Sequence, residues 1–291
     1  MNEWILTEYQ MGLLQMRRLI KGLGIILLVL VLLTAAGLTF LTIMEYRPKE
    51  TESVIGDHPV EAVLQPGEPL TLVTWNCGYG ALGDNADFFM DGGSSVYTAD
   101  RTRLESNLTG IRNALADLNP DLLLLQEVDI SSSRSDHLDE RTFLRTSGSY
   151  ASEAFAYNYN CLFVPYPLPP IGHVESGMYT LSRAPIRQAD RIQLPCPFSW
   201  PTRVANLKRG LLVSRIPLLG TEKELVLINL HLEAYDNGTG KEAQTKKLVQ
   251  VMQTEAAAGN YVIVGGDFNQ SFSNVDLSSY TVRRKEHGNP P

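Results

Sequence analysis

The stretch VIVGGDFNQ, residues 262–270, decides the fold of this chain. Three β-branched residues run into two glycines, and a carboxylate at Asp267 and a carboxamide at Asn269 follow two positions apart. A short apolar run of this kind is typical of a buried strand. Because positions two apart in an extended chain point to the same side, we expect Asp267 and Asn269 to face one pocket while Phe268 turns into the core.

Three other predicted strands also end on polar side chains. LTLVTWN ends at Asn76, DLLLLQE ends at Glu127, and ELVLINLH ends with Asn229 and His231. Ligand sites in α/β sheets usually lie at the carboxyl ends of the strands. Taken singly, each residue has a plain alternative: a turn asparagine, an exposed strand-end acid or a structural histidine. Their joint order along the chain is much more specific.

Two amphipathic helices separate these strands and predict an α/β domain that begins near Leu70. The first has its apolar face on Leu104, Leu108, Ile111, Leu115 and Leu118, and the second on Leu248, Val249, Met252 and Ala256. Asp100 is the predicted N-cap of the first helix, which we expect to stop at Asn119 before a proline. Gly259 is the predicted end of the second helix.

The N-terminus carries the strongest compositional signal. Residues 22–44 are uncharged and mostly apolar, and a helix of about 20 such residues spans a bilayer; a cleaved signal peptide is the alternative. Basic residues just before the run predict a cytoplasmic segment over residues 1–21 and an extracytoplasmic domain at the cell membrane. Residues 45–69 are rich in Glu and Pro and predict a linker.

Composition limits the classes of function. The formal net charge of −7 argues against a basic surface that grips a polynucleotide through many phosphates, although a nuclease that uses metal ions remains open. Cys77, Cys161 and Cys196 lack a zinc-binding spacing, and both one disulfide and three thiols are open. No Gly-x-Ser-x-Gly motif supports acyl hydrolysis.

The order WN, QE, NLH and GDFN resembles the endonuclease/exonuclease/phosphatase superfamily, which contains DNase I-like nucleases, bacterial sphingomyelinases and inositol polyphosphate 5-phosphatases. GMYTLSR at residues 177–183 is similar to the family's Gly-x-x-x-x-Ser-Lys/Arg strand, and the likeness covers about residues 70–270. It implies a four-layer α/β sandwich, with two mixed β-sheets face to face and helices outside, preceded here by one transmembrane helix. It also implies metal-dependent hydrolysis of a phosphate ester.

The resemblance assigns roles to the polar strand ends. It implies that Glu127 is the main ligand of Mg²⁺ or Mn²⁺, with Asn76 beside it. It implies that His231 contacts the phosphate, and that Asp267 and Asn269 orient the nucleophile. The chemistry fits independently, because Mg²⁺ keeps several waters and needs few protein carboxylates, and a histidine suits acid–base work near neutral pH.

The substrate is left open as a lipid headgroup, a nucleic acid or an inositol phosphate. Asn229 and Arg183 are the predicted substrate-binding residues, the membrane is reached through the N-terminal helix, and no protein partner is implied.

The chain departs from the family's pattern after GDFN. Members end on a Ser-Asp-His motif, whereas this sequence ends TVRRKEHGNPP, in which His287 does not match and predicts a solvated tail histidine. Only 22 residues follow Asn269. We therefore expect residues 70–291 to be a family domain whose C-terminal part is missing. The alternative is a catalytically inactive binding module.

A second departure is the loop GYGALGDNADFFMDGGSS after Asn76. Asp84, Asp87 and Asp91 suggest either an extra cation or headgroup site or an ordinary solvated loop. The FF pair predicts that the loop packs down onto the domain.

Overall fold

The computed structural model describes residues 3–234, 236, 238–271 and 274–275; His287 and the rest of the C-terminal tail lie outside these residues. The chain divides into two compact units, Met1–Glu45 and Tyr46–Pro291. The first unit is built on helix α1, Glu3–Ile43. Its segment Met11–Ile43 has a mean hydropathy of 2.7 and is long and apolar enough to cross a membrane.

The second unit is an α/β domain. Its helices are α2 Arg101–Leu118, α3 Arg141–Leu144 and α4 Thr239–Ala257, and its strands are β1 Thr51–Ile55, β2 Leu72–Asn76, β3 Leu122–Asp129, β4 Ser152–Val164, β5 Gly172–Ser182, β6 Gln188–Gln193, β7 Gly210–Pro217, β8 Glu224–His231 and β9 Tyr261–Asp267. In the described residues the strands form a four-stranded sheet of order β2-β3-β5-β4 and a five-stranded sheet of order β1-β6-β7-β8-β9. Both sheets are mixed, because β2 runs parallel to β3 and β8 parallel to β9, while the other pairs are antiparallel.

The two sheets pack face to face. The layer between them is an apolar cluster to which both contribute, including Leu122, Leu124, Met178, Leu212, Leu225 and Leu227. The opposite face of the four-stranded sheet packs on α2 through Leu115 and Ile111, and that of the five-stranded sheet packs on α4 through Leu248 and Met252. This arrangement is the predicted four-layer sandwich.

The predicted helix caps are confirmed, but residues at one edge of each predicted apolar face are exposed. The Asp100 side chain accepts a hydrogen bond from the Arg103 backbone at 2.8 Å, as expected of an N-cap, and Asn119 ends α2 with φ 47°. Leu118, in the last turn, is exposed, because α2 is already ending there and its final side chain lies beyond the sheet.

The second helix shows the same pattern. Leu248 is buried, Val249 and Ala256 are exposed, and the buried side instead includes Gln244 and Glu255. Long polar side chains on this face bond to neighbouring backbone and arginine groups, which an apolar period does not detect.

The predicted linker over residues 45–69 is wrong in part, because it contains strand β1. Thr51 pairs with Ile192 of β6, which makes β1 an edge strand of the five-stranded sheet. Leu64 bridges to Leu218 further along the segment. The strand was missed because TESVI is short and mixes charged and apolar residues, as edge strands commonly do.

Candidate functional site

Four polar side chains meet where the inter-sheet layer ends. The Asn76 amide nitrogen donates to Glu127 Oε1 at 3.1 Å and to Asp267 Oδ2 at 2.9 Å. His231 Nε2 lies 3.9 Å from Glu127 Oε1 and 3.7 Å from Asp267 Oδ2. Asn76 and Glu127 belong to one sheet, and His231 and Asp267 to the other, so the cluster spans both. The structure therefore brings together the strand ends β2, β3, β8 and β9.

Glu127 joins this cluster because β3 carries a β-bulge. Leu124 and Gln126 face the other sheet, so strict alternation would turn Glu127 toward the outer helix. Instead, the register with β5 shifts between Leu125 and Val128, and Glu127 adopts φ 51°. Bulges re-aim side chains, and a non-glycine residue held in this backbone region is a recurrent mark of functional sites.

His231 is a buried neutral group. Burial, together with the positive charges of Arg209 and Arg134, holds its pKa well below the usual range. The two carboxylates of the cluster would favour a charged imidazole, but at 3.7 and 3.9 Å they lie beyond hydrogen-bond distance. Desolvation is therefore the stronger effect on the pKa of His231, which offers a hydrogen bond rather than a charge.

Asn229 does not reach the cleft. It is fully buried two positions before His231 on the same face of β8. Its oxygen accepts from the Gln126 amide at 2.8 Å, and its nitrogen lies 3.2 Å from the Leu125 carbonyl and 3.3 Å from the Tyr179 carbonyl. The predicted substrate-binding role does not fit this position, because the amide is used to join the two sheets beneath the site.

Arg183 lies at the far end of the sandwich. It follows β5, which runs antiparallel to β3, so Ser182 pairs with Leu122 at the amino end of the strand that carries Glu127. Its guanidinium bonds to Asn119 instead. The five residue steps from Leu122 to Glu127 span about 16 Å at the usual rise per residue. Arg183 therefore lies away from the cluster, and its predicted substrate contact stays a prediction.

The turn after β9 is held by Asn269. Its backbone nitrogen donates to Asp267 Oδ1 at 2.9 Å, and its side-chain nitrogen donates to the Leu232 carbonyl at 2.9 Å. Lys241 donates to the Asn269 carbonyl at 2.8 Å. Phe268 packs into the outer cluster beside α4, as predicted. Asn269 thus fixes the carboxylate of Asp267 and ties the ends of β8 and β9 together.

Sequence reasoning missed a buried arginine close to the cluster. The Arg134 guanidinium donates to Asp129 Oδ2 at 3.0 Å and Oδ1 at 2.9 Å, and lies 3.7 Å from the Tyr79 ring centroid. Burial works against its charged form, but the charges of Asp129 and Glu127 raise the pKa of Arg134. The charge of Arg134 in turn helps to lower the pKa of His231. The signal available was an arginine inside the short polar run SSSRSD, directly after the QE motif.

The aspartate-rich loop is partly structural. Asp84 pairs with Arg103, and Asp87 Oδ2 accepts from the Ser94 backbone at 3.0 Å. The Phe88 ring contacts Tyr79 at 6.2 Å between centroids, which confirms that the loop packs down. Two of the three aspartates are therefore engaged within the protein.

The donor set of the cluster fits a hard divalent cation. Glu127 and Asp267 each expose about a quarter of their side chains, 25% and 29%, and both carboxylates converge on one amide nitrogen. Among the described residues there is no group of three or more His, Cys, Asp or Glu side chains that could hold a metal. Two carboxylates with open solvent positions suit Mg²⁺, which retains waters.

Asn76 is placed to orient these ligands. Its oxygen accepts from the Gly78 backbone at 3.0 Å, which turns the NH₂ group toward both carboxylates. In this arrangement the NH₂ group of Asn76 donates hydrogen bonds and does not coordinate a cation, and its metal-ligand role stays a prediction.

The sequence model of the Endonuclease/Exonuclease/phosphatase family matches residues 73–289. A comparison with curated protein sequences returned no match.

Three solved structures illustrate the structural likeness. An endonuclease/exonuclease/phosphatase from Beutenbergia cavernae is 17% identical, with 73% of this chain and 50% of that chain covered and a TM-score of 0.49. TDP2 from Caenorhabditis elegans is 17% identical, with 71% and 49% covered and a TM-score of 0.44. The human Nocturnin catalytic domain, solved with bound sulfate, is 17% identical, with 70% and 65% covered and a TM-score of 0.43.

The chain spans about half the length of the first two of these proteins. The family match covers most of this chain and includes all four strand ends of the cluster. The chain therefore belongs to the endonuclease/exonuclease/phosphatase family, whose members are hydrolases that act on phosphate esters.

Proposed function

We propose that this chain hydrolyses a phosphodiester, in a lipid headgroup or a nucleic acid, by metal-assisted in-line attack of water. The observation that carries the proposal is the single amide of Asn76 bonded to both Glu127 and Asp267, with His231 within 4 Å of each carboxylate. These groups come from separate sheets and meet in one partly exposed cluster. Two carboxylates that share one amide donor favour the binding of a cation.

Glu127 and Asp267 are the residues that would hold the metal. A divalent cation bound there supplies a counter-charge for the phosphate and lowers the pKa of bound water. The protein's own contribution is rigidity. The bulge fixes the Glu127 carboxylate, and Asn76 and Asn269 each hold an oxygen of Asp267, so little reorganisation is needed when substrate arrives.

His231 would receive the phosphate. A neutral imidazole donates a hydrogen bond to a phosphate oxygen through Nε2–H, or accepts one from a water through the unprotonated nitrogen. Arg134 and Arg209 both act on His231 electrostatically, and each is paired with a buried carboxylate, Arg134 with Asp129 and Arg209 with Glu233.

The proposed location is an extracytoplasmic face of the cell membrane. Arg17, Arg18 and Lys21 lie at the start of the long apolar segment of α1, whereas mixed charges follow it. The positive-inside rule then puts the N-terminus in the cytoplasm.

The test uses the full chain purified in mild detergent and a set of substrates: bis(p-nitrophenyl) phosphate, a phosphomonoester, DNA and sphingomyelin. We expect hydrolysis with Mg²⁺ that stops when EDTA is added. Glu127→Ala and His231→Ala are each expected to lower kcat/KM by a factor of about 10²–10⁴, the usual cost of removing a catalytic group. Glu105→Ala, which removes an exposed carboxylate on α2, is the matched control. Activity that survives EDTA, or that Glu127→Ala leaves intact, would reject the proposal.

A further inference from the structure

The hairpin between β4 and β5 presents apolar side chains to solvent. At its tip, Leu168 is 89% exposed and Tyr166 is 70% exposed. Further large apolar side chains are exposed on β4 and on the neighbouring loop that contacts the tip: Leu162, Phe163, Met90 and Tyr97. Single exposed apolar residues are ordinary, but a contiguous group of them marks an interaction surface. We call this group, together with Tyr166 and Leu168, the hairpin surface.

Specific contacts hold the hairpin surface in shape. The Phe89 ring packs edge-on against Tyr166, with centroids 6.5 Å apart. The Tyr97 hydroxyl donates to the Pro170 carbonyl at 2.8 Å. At the base, the His173 backbone donates to the Ser133 hydroxyl at 3.1 Å. The apolar side chains are therefore presented on a supported loop, which lowers the entropy cost of binding through them.

The hairpin surface lies at the cleft end of the sandwich. Strand β5 runs antiparallel to β3, and Ser176 pairs with Asp129, just beyond Glu127. Gly172, where β5 begins, is four residues further from the core of the sheet. The tip of the hairpin therefore projects past the strand end that carries Glu127, and it rims the same opening.

The chain also enters the domain at this end. The pairing of neighbouring strands shows which end of β1 lies level with His231. Leu230, next to His231, pairs with Leu211; Gly210, next to Leu211, pairs with Gln193; and Ile192, next to Gln193, pairs with Thr51. Strand β1 thus starts at the cleft end of its sheet. Only Met44 and Glu45 separate Ile43, the last residue of the apolar helix, from Tyr46, the first residue of the domain. A bilayer that holds α1 is therefore within a few residues of this end along the chain.

The charges select the kind of bilayer. Residues 161–172 contain no charged side chain, whereas the neighbouring loop carries Asp84, Asp87 and Asp91. An acidic rim repels an anionic surface and tolerates a zwitterionic one. Aromatic and aliphatic side chains without basic neighbours enter the headgroup region by burial of apolar area alone.

We propose that the hairpin surface docks onto a zwitterionic lipid bilayer and turns the cleft toward its headgroups. The side chains of Tyr166 and Leu168 enter the boundary between headgroups and acyl chains, to a depth of about 5–10 Å. The substrate class that follows, which rests on the proposed function, is a phosphate ester of a lipid headgroup. Docking itself requires no hydrolysis, so contact is measured separately from activity.

The test places an environment-sensitive fluorophore on the full chain reconstituted into phosphatidylcholine vesicles. The label is attached through Leu168→Cys in a Cys196→Ser background, because Cys77 and Cys161 are buried. The matched control is Leu118→Cys, an exposed leucine at the opposite end of the sandwich. Near-UV circular dichroism confirms that each labelled protein is folded.

We expect nitroxide-labelled lipids to quench the label at position 168 several-fold more than at 118, and aqueous iodide to quench it less. The same result is expected with Glu127→Ala added, which separates docking from catalysis. Equal iodide quenching at both positions would overturn the proposal. Protection of position 168 from both quenchers would also overturn it, since a protein and not a lipid would then cover the surface.

Discussion

The backbone of Glu127 makes an unusual stability prediction, because its φ of 51° inverts the ordinary ranking of alanine and glycine. The comparison is between Glu127→Ala and Glu127→Gly. Both variants remove the carboxylate, its bond to Asn76 and its repulsion with Asp267, so these effects cancel. What remains is the difference in free energy between alanine and glycine in the backbone conformation at position 127.

The magnitude follows from two opposing costs. A residue with a Cβ atom in the left-handed region is disfavoured by about 1–2 kcal/mol. Glycine avoids that cost but gives up about 0.5–1 kcal/mol of additional conformational entropy on folding. The difference leaves the glycine variant more stable by about 0.5–1 kcal/mol.

The assay is thermal unfolding of the full chain in mild detergent, followed by near-UV circular dichroism at one fixed scan rate. A domain of this size shifts its Tm by about 2–4 °C per kcal/mol, so Glu127→Gly should melt a few degrees above Glu127→Ala. Ala154→Gly provides the control: this residue lies in β4 without a positive φ, and glycine should there destabilise by about 1 kcal/mol. If glycine is the less stable residue at both positions, the bulge is not strained and the argument for it fails.

Three further outcomes test other parts of the domain. Asn229→Leu should destabilise the fold by about 1–3 kcal/mol, because the buried Gln126 amide loses one of its acceptors; a drop in Tm of less than a degree would contradict this. Burial, and then the charge of Asp129, raise the pKa of Glu140 well above its usual range. The folded state therefore keeps a proton that the unfolded carboxyl releases near about pH 4.3. The free energy of unfolding consequently falls as the pH rises above about that value. Glu140→Gln should therefore flatten the decline of Tm between about pH 5 and pH 8, and an unchanged slope would show that Glu140 is ionised in the fold. Arg183→Ala should leave kcat/KM unaltered in the substrate panel, because Arg183 bonds to Asn119 at the end of the sandwich away from the cleft; a large loss would restore it to the site.

The α/β domain and most of the cluster could be predicted from the sequence because both depend on local pattern, whereas the four-layer sandwich was implied by the family resemblance. Apolar runs that end on Asn76, Glu127, His231 and Asp267 are visible in the chain, and the structure brings these four side chains together. Period-two alternation also predicted that Phe268 turns into the core.

The errors arose where the place of a residue in the fold does not follow from the sequence pattern. Alternation places Asn229 and His231 on one face, but it does not reveal that Asn229 lies one layer deeper, among the ties between the sheets. A motif match led to the prediction that Arg183 lies in the site, whereas the antiparallel direction of β5 places it at the other end of the sandwich. The bulge at Glu127 depends on the register with the distant strand β5, and the Arg134–Asp129 pair depends on the turn that follows β3, so neither follows a period.

The division of the cleft between two sheets has a consequence for biosynthesis. Asn76 and Asp267, bonded to each other in the finished domain, are 191 positions apart. A nascent chain on the ribosome holds the first half of the centre long before the last half has been translated. No partly made domain can assemble the complete centre, which forms only when β9 closes against β8.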